Sequence, residues 1–195
     1  MMRMAQIKIN SEKTLSHNKF PLKLYSFEKP GLEGEMHGQE NEIYFRPDGA
    51  TVLLIDEDEQ KMLFTRQIRL ATFLNGNDGG YLVETCAGTI DQGESPEQAM
   101  DREILEETGY QATSIARILQ GYPSPAGNSE VIYFFLATYD SKGPKKKGGG
   151  AEGEGEDIQL VEMAISEARE KLSSGWFTDL KTILLLQHYF LEGSK

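Results

Sequence analysis

The stretch GTIDQGESPEQAMDREILEETGY, residues 88–110, contains the most specific pattern in this 195-residue sequence. Its second half carries the signals of a helix start, because Ser95 suits the N-cap, Pro96 suits the first helical position and Gln98 completes a capping box. Gly109 suits the position after the last turn, where the backbone often becomes left-handed. The sequence therefore predicts a short helix between Ser95 and Gly109.

Three carboxylates share one face of this helix. At about 100° per residue, Glu103, Glu106 and Glu107 fall within an arc of about 100°, with Arg102 at its edge. Such charges repel one another, and the repulsion grows when the side chains are partly buried. A hard divalent cation, which prefers oxygen ligands, would neutralise them, whereas the alternative is a solvated acidic face. The preceding segment YLVETCAG favours the cation, because a strand and a Gly-containing loop would hold backbone near the acids.

The same residues resemble the Nudix box, G-x5-E-x7-R-E-U-x-E-E-x-G-U, in which U is a bulky aliphatic residue. The matching positions are Gly88, Glu94, Arg102, Glu103, Ile104, Glu106, Glu107 and Gly109. At the last position Tyr110 replaces an aliphatic residue, a change that we expect to affect packing rather than chemistry. So many fixed positions over this length make a chance match improbable, and the chain is identified as a member of the Nudix superfamily.

The resemblance implies both a fold and a reaction. The fold is α/β (α+β), with a mixed β-sheet sandwiched between helices. The reaction is hydrolysis of a nucleoside diphosphate linked to another group, with Mg²⁺ or Mn²⁺ as cofactor. A diphosphate is negatively charged and repels hydroxide, so metal ions on carboxylates would neutralise it, align water and stabilise the leaving oxygen.

Roles for individual residues also follow from the resemblance. The implied metal ligands are the main-chain carbonyl of Ala87 and the side chains of Glu103, Glu106, Glu107 and Glu156. The implied catalytic residues are Glu106, Glu107 and Glu156. The structural positions of the box are Gly88, Glu94, Arg102 and Gly109. Among these, Arg102 would orient the carboxylates and Glu94 would support the loop.

Composition excludes several other classes of protein. The formal charge is −11 with 38% hydrophobic residues, so a globular protein is expected, and no basic stripe suits nucleic acid. The N-terminus lacks the apolar core of a signal peptide and no apolar run has membrane-spanning length, which predicts a cytoplasmic protein without membrane contacts. The single cysteine, Cys86, lies in an apolar strand pattern and is expected to be a buried structural thiol rather than a nucleophile.

The chain is expected to have two parts. Residues 1–46 should form an antiparallel β extension with strands at 5–10, 20–28 and 41–46. This extension is poor in apolar residues, so we expect it to pack against the main domain or against a second subunit. Residues 47–195 would form the Nudix domain.

Within the second part, the pattern predicts strands, helices and one unusual segment. Strands are expected in GATVLLID, QKMLFTRQIR, YLVETCAG, SIARILQG, EVIYFFLATY and DIQLVEM, with the apolar EVIYFFLATY at the centre of the sheet. ATFLNGNDGG should be a loop, and further helices are expected near 166–173 and 179–191. Residues 141–157 are of low complexity. They would be a linker in which Lys145 to Lys147 are solvated and mobile, or an acidic lid over the box, which analogy favours.

A second resemblance bears on the substrate. The segment RQIR at 66–69 resembles the RQxR segment of Nudix pyrophosphatases that act on ADP-ribose and sugar nucleotides. Residues 15–191 are similar to the bacterial GDP-mannose hydrolase subgroup, which is dimeric, with N-terminal strands reaching toward the partner. The substrate contacts that this implies are Glu42, Arg66, Arg69, Ala87, Gly88, Glu130 and Lys181. A guanidinium such as that of Arg69 suits a phosphate because its fork binds two oxygens.

The chain departs from that subgroup in two ways. Its acidic arm, GGGAEGEGEDI, is longer by two residues than the subgroup implies. The acid that would bind the metal or act as a base is therefore Glu154 or Glu156. Glu156 is preferred because the following strand fixes its position. Lys19, Glu40 and Asn41 are not the residue types that the subgroup implies near the substrate.

Three functions therefore stay under consideration. The leading one is a metal-dependent hydrolase that cleaves GDP-mannose, or a related nucleotide sugar, to a nucleoside monophosphate and a sugar 1-phosphate, acting as a homodimer. The second is an ADP-ribose pyrophosphatase. The third is a non-catalytic sensor of nucleotide sugars or ADP-ribose, which the intact acid set and the lack of a basic helix-turn-helix segment disfavour.

Overall fold

The computed structural model describes residues 6–150 and 157–192, and its chain divides into two compact units. The first unit contains Met1–Asp48 and Gly121–Val131. The second contains Gly49–Gln120 and Ile132–Lys195. A chain segment from the middle of the sequence thus joins the N-terminal strands in the first unit.

The first unit is built on a three-stranded antiparallel sheet in the order β1-β2-β3. The strands are β1, Lys8–His17; β2, Pro21–Pro30; and β3, Met36–Tyr44. The predicted boundaries were wrong for two of them, because β1 continues well beyond residue 10 and β3 begins before residue 41.

Polar cross-strand pairs explain the unexpected length of β1. Its sequence is mostly polar and carries no clear alternation, so it gives no strong strand signal. In the structure Glu12 accepts hydrogen bonds from Lys23 Nζ at 2.8 Å and from the Tyr25 hydroxyl at 2.7 Å, both on β2. Such pairs stabilise adjacent strands and depend on a partner that lies elsewhere in the sequence.

The second unit contains a seven-stranded mixed sheet. Its strands are β4, Gly49–Asp56; β5, Lys61–Ile68; β6, Tyr81–Glu84; β7, Cys86–Thr89; β8, Ala112–Gly121; β9, Ile132–Tyr139; and β10, Gln159–Ala164. The order is β10-β5-β4-β9-β8, while β6 pairs with β5 and β7 pairs with β4. Strand β4 runs parallel to β9 and antiparallel to β5 and β7. The predicted interior position of β9 is confirmed.

Helices cover both faces of this sheet. The helices of this unit are α1, Leu70–Leu74; α2, Pro96–Glu103; α3, Ile165–Ser173; and α4, Leu180–Glu192, and α2 continues as a π-helical turn, Ile104–Thr108. Alternate residues of β4 enter two separate cores. Leu53 packs in the core that contains Leu185 of α4, whereas Leu54 packs in the core that contains Met100 of α2. The predicted sandwich of a mixed sheet between helices is confirmed.

Two predictions for individual residues of the second unit are also confirmed. Cys86 is buried in the core that contains Met100, as expected of a structural thiol. Tyr110 is buried in the same core, where its ring lies 5.1 Å from that of Tyr139, so the replacement of an aliphatic residue is accommodated by packing.

The predicted single strand YLVETCAG is instead two strands that meet at Thr85. The Thr85 N–H donates to Thr182 Oγ1 of α4 at 2.8 Å, and its hydroxyl lies 2.8 Å from that of Thr51. These bonds remove Thr85 from the sheet ladder, so the chain crosses from the β5 side to the β4 side at this residue.

Two predicted loops are more ordered than their composition suggests. The segment 71–80 contains most of α1, which the Thr72 side chain supports through hydrogen bonds with the Arg69 carbonyl and the Asn77 amide. In the second loop, Lys145–Lys147 were predicted to be solvated and mobile, yet the Lys146 N–H donates to the Gly109 carbonyl at 2.8 Å. The acidic part of the second loop, with Glu154 and Glu156, lies outside the described residues.

Candidate active site

The helix α2 begins as its sequence predicts. The Ser95 hydroxyl accepts from the Gln98 N–H at 3.2 Å, and the Gln98 side chain accepts from the Ser95 N–H at 2.8 Å, which is a complete capping box. Gly109 has a φ of 76° and ends the helical segment in the left-handed region. These local signals place the carboxylates of residues 103–107 on one short, well-bounded element.

The end of this element is a π-helical turn rather than α-helix. Residues Ile104–Thr108 form it, and both of its terminal side chains are buried. Turns of this type widen the helix and are frequent at functional sites. Glu106 and Glu107 therefore do not occupy the directions that a regular period of about 100° per residue gives them.

Arg102 links the acids of the box. Its Nε and Nη2 donate to the two carboxylate oxygens of Glu94, both at 2.9 Å, in a bidentate pair. Its Nη1 donates to Glu103 at 2.8 Å and to Glu106 at 3.0 Å. Nη2 also donates to the Thr89 carbonyl at 3.0 Å. One guanidinium thus connects the loop, strand β7 and the helix.

These contacts shift the pKa values of Glu94 and Arg102. The Arg102 guanidinium, with the Asp91 backbone N–H as a second donor, lowers the pKa of Glu94 from 4.5 to about 2. The Glu94 carboxylate in turn raises the pKa of Arg102, so the guanidinium stays charged. The box therefore carries a fixed positive charge among its carboxylates.

Strand β7 brings backbone into contact with two of the glutamates. Glu107 is buried, with 2% of its surface exposed, and it accepts the Ala87 N–H at 3.3 Å. Both backbone groups of a strand residue point to the same side, so the Ala87 carbonyl also lies on the side of β7 that faces away from β4. At Gly88 an added Cβ would lie 1.9 Å from the carboxyl carbon of Glu103. Only glycine permits this approach.

The oxygen atoms of these residues match the ligand preference of a divalent cation. Carboxylates and a backbone carbonyl are the oxygen donors that Mg²⁺ and similar hard ions take. Glu103 and Glu107 lie against the Ala87-Gly88 backbone, so the donor set fits such an ion in its chemistry. Among residues 6–150 and 157–192, however, no three His, Cys, Asp or Glu side chains already form a group that could hold a metal. The predicted convergence of the acids on a metal stays a prediction.

A second cluster has the opposite arrangement of charge. Glu84, at the end of β6, is 1% exposed and accepts hydrogen bonds from Arg69 Nε at 2.6 Å and from Lys181 Nζ at 3.3 Å. Lys181 also donates to Asp179 at 2.6 Å. Burial opposes ionisation of Asp179, but the Lys181 ammonium and the bonds from Thr182 outweigh it and lower the Asp179 pKa.

Arg69 and Lys181 are predicted from the sequence, whereas the two acids that hold them are not. Glu84 could have been found as the one carboxylate in the apolar run YLVETCAG, since a buried charge requires a partner. Asp179 could have been found as the residue before α4, because its carboxylate accepts the Thr182 N–H at 2.9 Å in the manner of an N-cap.

The remaining predicted substrate contacts lie in both units. In the second unit, Arg66 donates to Gln159 at 2.7 Å, and its guanidinium carbon lies 3.7 Å from the centre of the Tyr81 ring. In the first unit, Glu42 lies on β3, and Glu130 is paired with Arg46 at 3.9 Å. Glu42 and Glu130 belong to the first unit and Arg66 to the second. That these three residues contact the same substrate stays a prediction.

No helix within residues 6–150 and 157–192 combines the length and apolar character that membrane crossing requires.

Comparison with known proteins agrees with this geometry. The NUDIX domain matches residues 45–184. Two relatives, each named GDP-mannose pyrophosphatase, are from Cronobacter sakazakii (strain ATCC BAA-894) and Shigella flexneri serotype 5b (strain 8401). The first is 40% identical over 187 residues and the match covers 96% of both chains, while the second is 39% identical over 183 residues and the match covers 94% of both.

The fold also has a solved counterpart. A crystal structure described as an ADP compounds hydrolase superposes with a TM-score of 0.72 at 20% identity, covering 100% of this chain and 98% of that chain. This likeness concerns the fold alone. The domain match and the relatives define the class: the chain belongs to the NUDIX family of hydrolases.

The Arg102–Glu94 pair predicts a specific pH dependence of stability. A carboxylate with a lowered pKa in the folded state stabilises the fold above its unfolded pKa and loses this contribution as pH falls through the folded value. The difference in free energy of unfolding between wild type and Glu94→Gln should therefore be largest above pH 4.5 and shrink as pH approaches about 2. Urea unfolding at a series of pH values measures it.

The control is the same substitution in an Arg102→Gln background. Removal of the guanidinium removes the main cause of the lowered pKa, so Glu94→Gln should then produce a much weaker pH trend. A wild-type difference that stays constant across the acid range would contradict the assigned role of the pair.

Proposed function

We propose that this protein is a divalent-cation-dependent hydrolase that cleaves the pyrophosphate of GDP-mannose, or of a related nucleotide sugar, to a nucleoside monophosphate and a sugar 1-phosphate. The observation that carries the proposal is the contact of Glu103 and Glu107 with the Ala87-Gly88 backbone. The choice of substrate is supported by relatives named GDP-mannose pyrophosphatase, whose matches cover 94–96% of the chain at 39–40% identity.

Mg²⁺ is the proposed cofactor, with Mn²⁺ as the alternative ion. The described residues that would hold it are Glu103, Glu106, Glu107 and the carbonyl of Ala87. Glu156, which the sequence also selects, lies outside the described residues. When bound, such an ion neutralises pyrophosphate charge and lowers the pKa of a coordinated water.

The chain itself orients the groups and accepts a proton. Arg102 holds Glu103 and Glu106 through Nη1, which limits the positions that both carboxylates take. In hydrolysis the water oxygen bonds to one phosphorus, the bond from that phosphorus to the bridging oxygen breaks, and a carboxylate takes the water proton. Glu106 and Glu107 are the described candidates for that base.

Cationic side chains would bind the phosphates. Arg69 and Lys181 are hydrogen-bonded to the buried Glu84. Both side chains are therefore already fixed in position before a substrate binds. A guanidinium has five N–H donors, so a bond from Nε to Glu84 is compatible with contacts to phosphate. We also propose Arg66, Gly88, Glu42 and Glu130 as substrate contacts, on the resemblance of sequence.

ADP-ribose is the second candidate substrate. The RQIR segment at 66–69 is shared in pattern with pyrophosphatases of ADP-ribose. Its two arginines, of which Arg66 bonds Gln159 and Arg69 bonds Glu84, carry charges that suit the diphosphate of either ligand. A sensor without catalysis is less well supported, because the complete acid set of the box is present and two of its members, Glu103 and Glu107, contact strand β7.

The role of the glutamates is tested by removing charge without changing shape. Glu103→Gln and Glu107→Gln should each lower kcat at least about 100-fold, because a neutral amide is a poor ligand for a hard cation. Turnover is measured by release of nucleoside monophosphate with Mg²⁺.

Glu97→Gln is the matched control for this test. Glu97 lies in the first turn of the same helix and is paired with Arg117 at 3.9 Å, away from the box acids, so its variant should keep wild-type activity. Circular dichroism checks that all three variants fold. Wild-type turnover in a folded Glu103→Gln or Glu107→Gln protein refutes the assignment.

The substrate is tested with a panel of GDP-mannose, other nucleotide sugars, ADP-ribose and dinucleotide polyphosphates, with the products resolved by mass. We expect kcat/KM to be highest for GDP-mannose or another nucleotide sugar. A preference for ADP-ribose of about tenfold or more, equivalent to about 1.4 kcal/mol, would replace the leading assignment with the second candidate. Absence of turnover with every compound, alongside binding of one, would favour the sensor.

We further propose that the protein is a homodimer in the cytoplasm, with residues 1–46 as the dimerisation element of a Nudix domain at 47–195. Strand β1 supports this, since nearly all of its residues are exposed and its apolar side chains face solvent in a single chain. Exposed apolar groups on a sheet edge are typical of an interface. The single cysteine agrees with a reducing compartment.

Sedimentation should therefore give the mass of two chains. Ile9→Lys on β1 should shift the protein toward monomer, because it places a charge on the proposed interface. Leu32→Lys is the control, because Leu32 is an exposed apolar residue in a turn outside the strands. A monomeric wild type, or equal effects of both substitutions, would contradict this arrangement.

A further inference from the structure

Residues 145–150, KKKGGG, run along the C-terminal end of the π-helical turn. Three of their backbone N–H groups donate to carbonyls of that end. Lys146 donates to Gly109 at 2.8 Å, Gly149 donates to Glu107 at 2.8 Å, and Gly150 donates to Glu106 at 3.1 Å. Two of the three acceptors therefore belong to the proposed metal-binding and catalytic glutamates.

These bonds meet a general need of helix ends. The last carbonyls of a helix have no partner within the helix and are satisfied by caps, water or other segments. Here a separate segment of chain supplies the donors. The main chain of Glu106 and Glu107 is consequently held on its carbonyl side by residues 149 and 150, while the Glu107 carboxylate contacts Ala87.

The three glycines of the segment meet two physical requirements. At Gly148 an added Cβ would lie 2.6 Å from the Thr108 carbonyl carbon and 2.8 Å from both the Glu107 oxygen and the Gly109 nitrogen. All of these are backbone atoms, which cannot rotate away. Gly149 and Gly150 have φ values of 111° and 103°, which other residues rarely adopt. The three glycines allow two backbones to lie in direct contact.

Tyr110, the residue that departs from the box pattern, anchors the start of the segment. Lys145 Nζ lies 4.8 Å from the centre of its ring, within the range of a cation–π contact. The Tyr110 hydroxyl donates to the Ser141 carbonyl at 3.4 Å, and the Ser141 N–H donates to Asp56 at 2.9 Å. An aliphatic residue at position 110 would provide neither contact.

We propose that residues 145–150 form a backbone clamp that positions Glu106 and Glu107, and that Gly148 is the residue on which its close contact depends. The functional part of this inference rests on the proposed metal-dependent hydrolysis. Gly148 is a positioning residue, since it acts through the main chain of the glutamates and not on the reacting atoms.

The clamp itself is tested in the wild-type protein by amide hydrogen exchange. The amides of Lys146, Gly149 and Gly150 should exchange at least about tenfold more slowly than an unstructured chain, because they are hydrogen-bonded. Exchange of these three amides at the rate of an unstructured chain would overturn the inference, whatever the variants do.

Gly148→Ala tests the consequence for the site. A methyl group at this position should displace the segment and speed exchange of its bonded amides by about tenfold or more. Affinity for Mn²⁺, measured by calorimetry without substrate, should weaken about fivefold or more because two ligands lose their fixed position. The value of kcat should fall about tenfold while KM changes less than about threefold.

Gly121→Ala is the matched control, because nothing lies within 4 Å of an added Cβ there and φ is not left-handed. It should leave exchange at residues 146–150, Mn²⁺ affinity and kcat unchanged. A folded Gly148→Ala protein with wild-type exchange and Mn²⁺ affinity would overturn the clamp and leave the proposed function intact. Conversely, wild-type protein that turns over no nucleotide sugar with either Mg²⁺ or Mn²⁺ refutes the proposed function, while slow exchange that Gly148→Ala abolishes still supports the clamp.

Discussion

The ion pairs of Arg102 are the interaction on which the rest of the site depends. Three glutamates within one short helical segment repel one another, and the repulsion increases where water is excluded. A single guanidinium offsets it by bonding Glu103 and Glu106 on the helix and Glu94 on the preceding loop. Because the same group also bonds the Thr89 carbonyl, the spacing between helix, loop and strand is set by one planar side chain.

The reverse arrangement of charge lies in the same unit, around Glu84, which precedes Arg102 by 18 residues. Glu84 is a buried acid between two cations, whereas Arg102 is a cation among acids. Only residues 85 and 86 separate Glu84 from Ala87. The position of these cations matters because the protein has a formal charge of −11, which repels phosphorylated ligands at long range. Local cations held in fixed positions would reverse that field where the proposed substrate binds.

The elements that sequence reasoning predicted best are those whose causes are local. Ser95, Gln98 and Gly109 define the ends of the helix within a few residues, and the apolar run of β9 suffices to place it inside the sheet. The π-helical turn was missed because no residue periodicity signals it. The break at Thr85 was missed because its partner lies 97 residues away. Glu84 was overlooked although it is the one carboxylate in the run YLVETCAG, and the acidic arm beyond Gly150 falls outside the described residues.

The hydrogen bond from Thr85 to Thr182 has a consequence for biosynthesis. The segment that leads into Ala87 and Gly88 is hydrogen-bonded to α4, at a residue that is translated 97 residues after Thr85. A ribosome-bound chain can therefore complete the helix with the glutamates long before the strand opposite them is secured. Assembly of a working centre must wait until α4 has been translated, and a chain that stops before Thr182 would retain the acids without the helix that secures the strand opposite them.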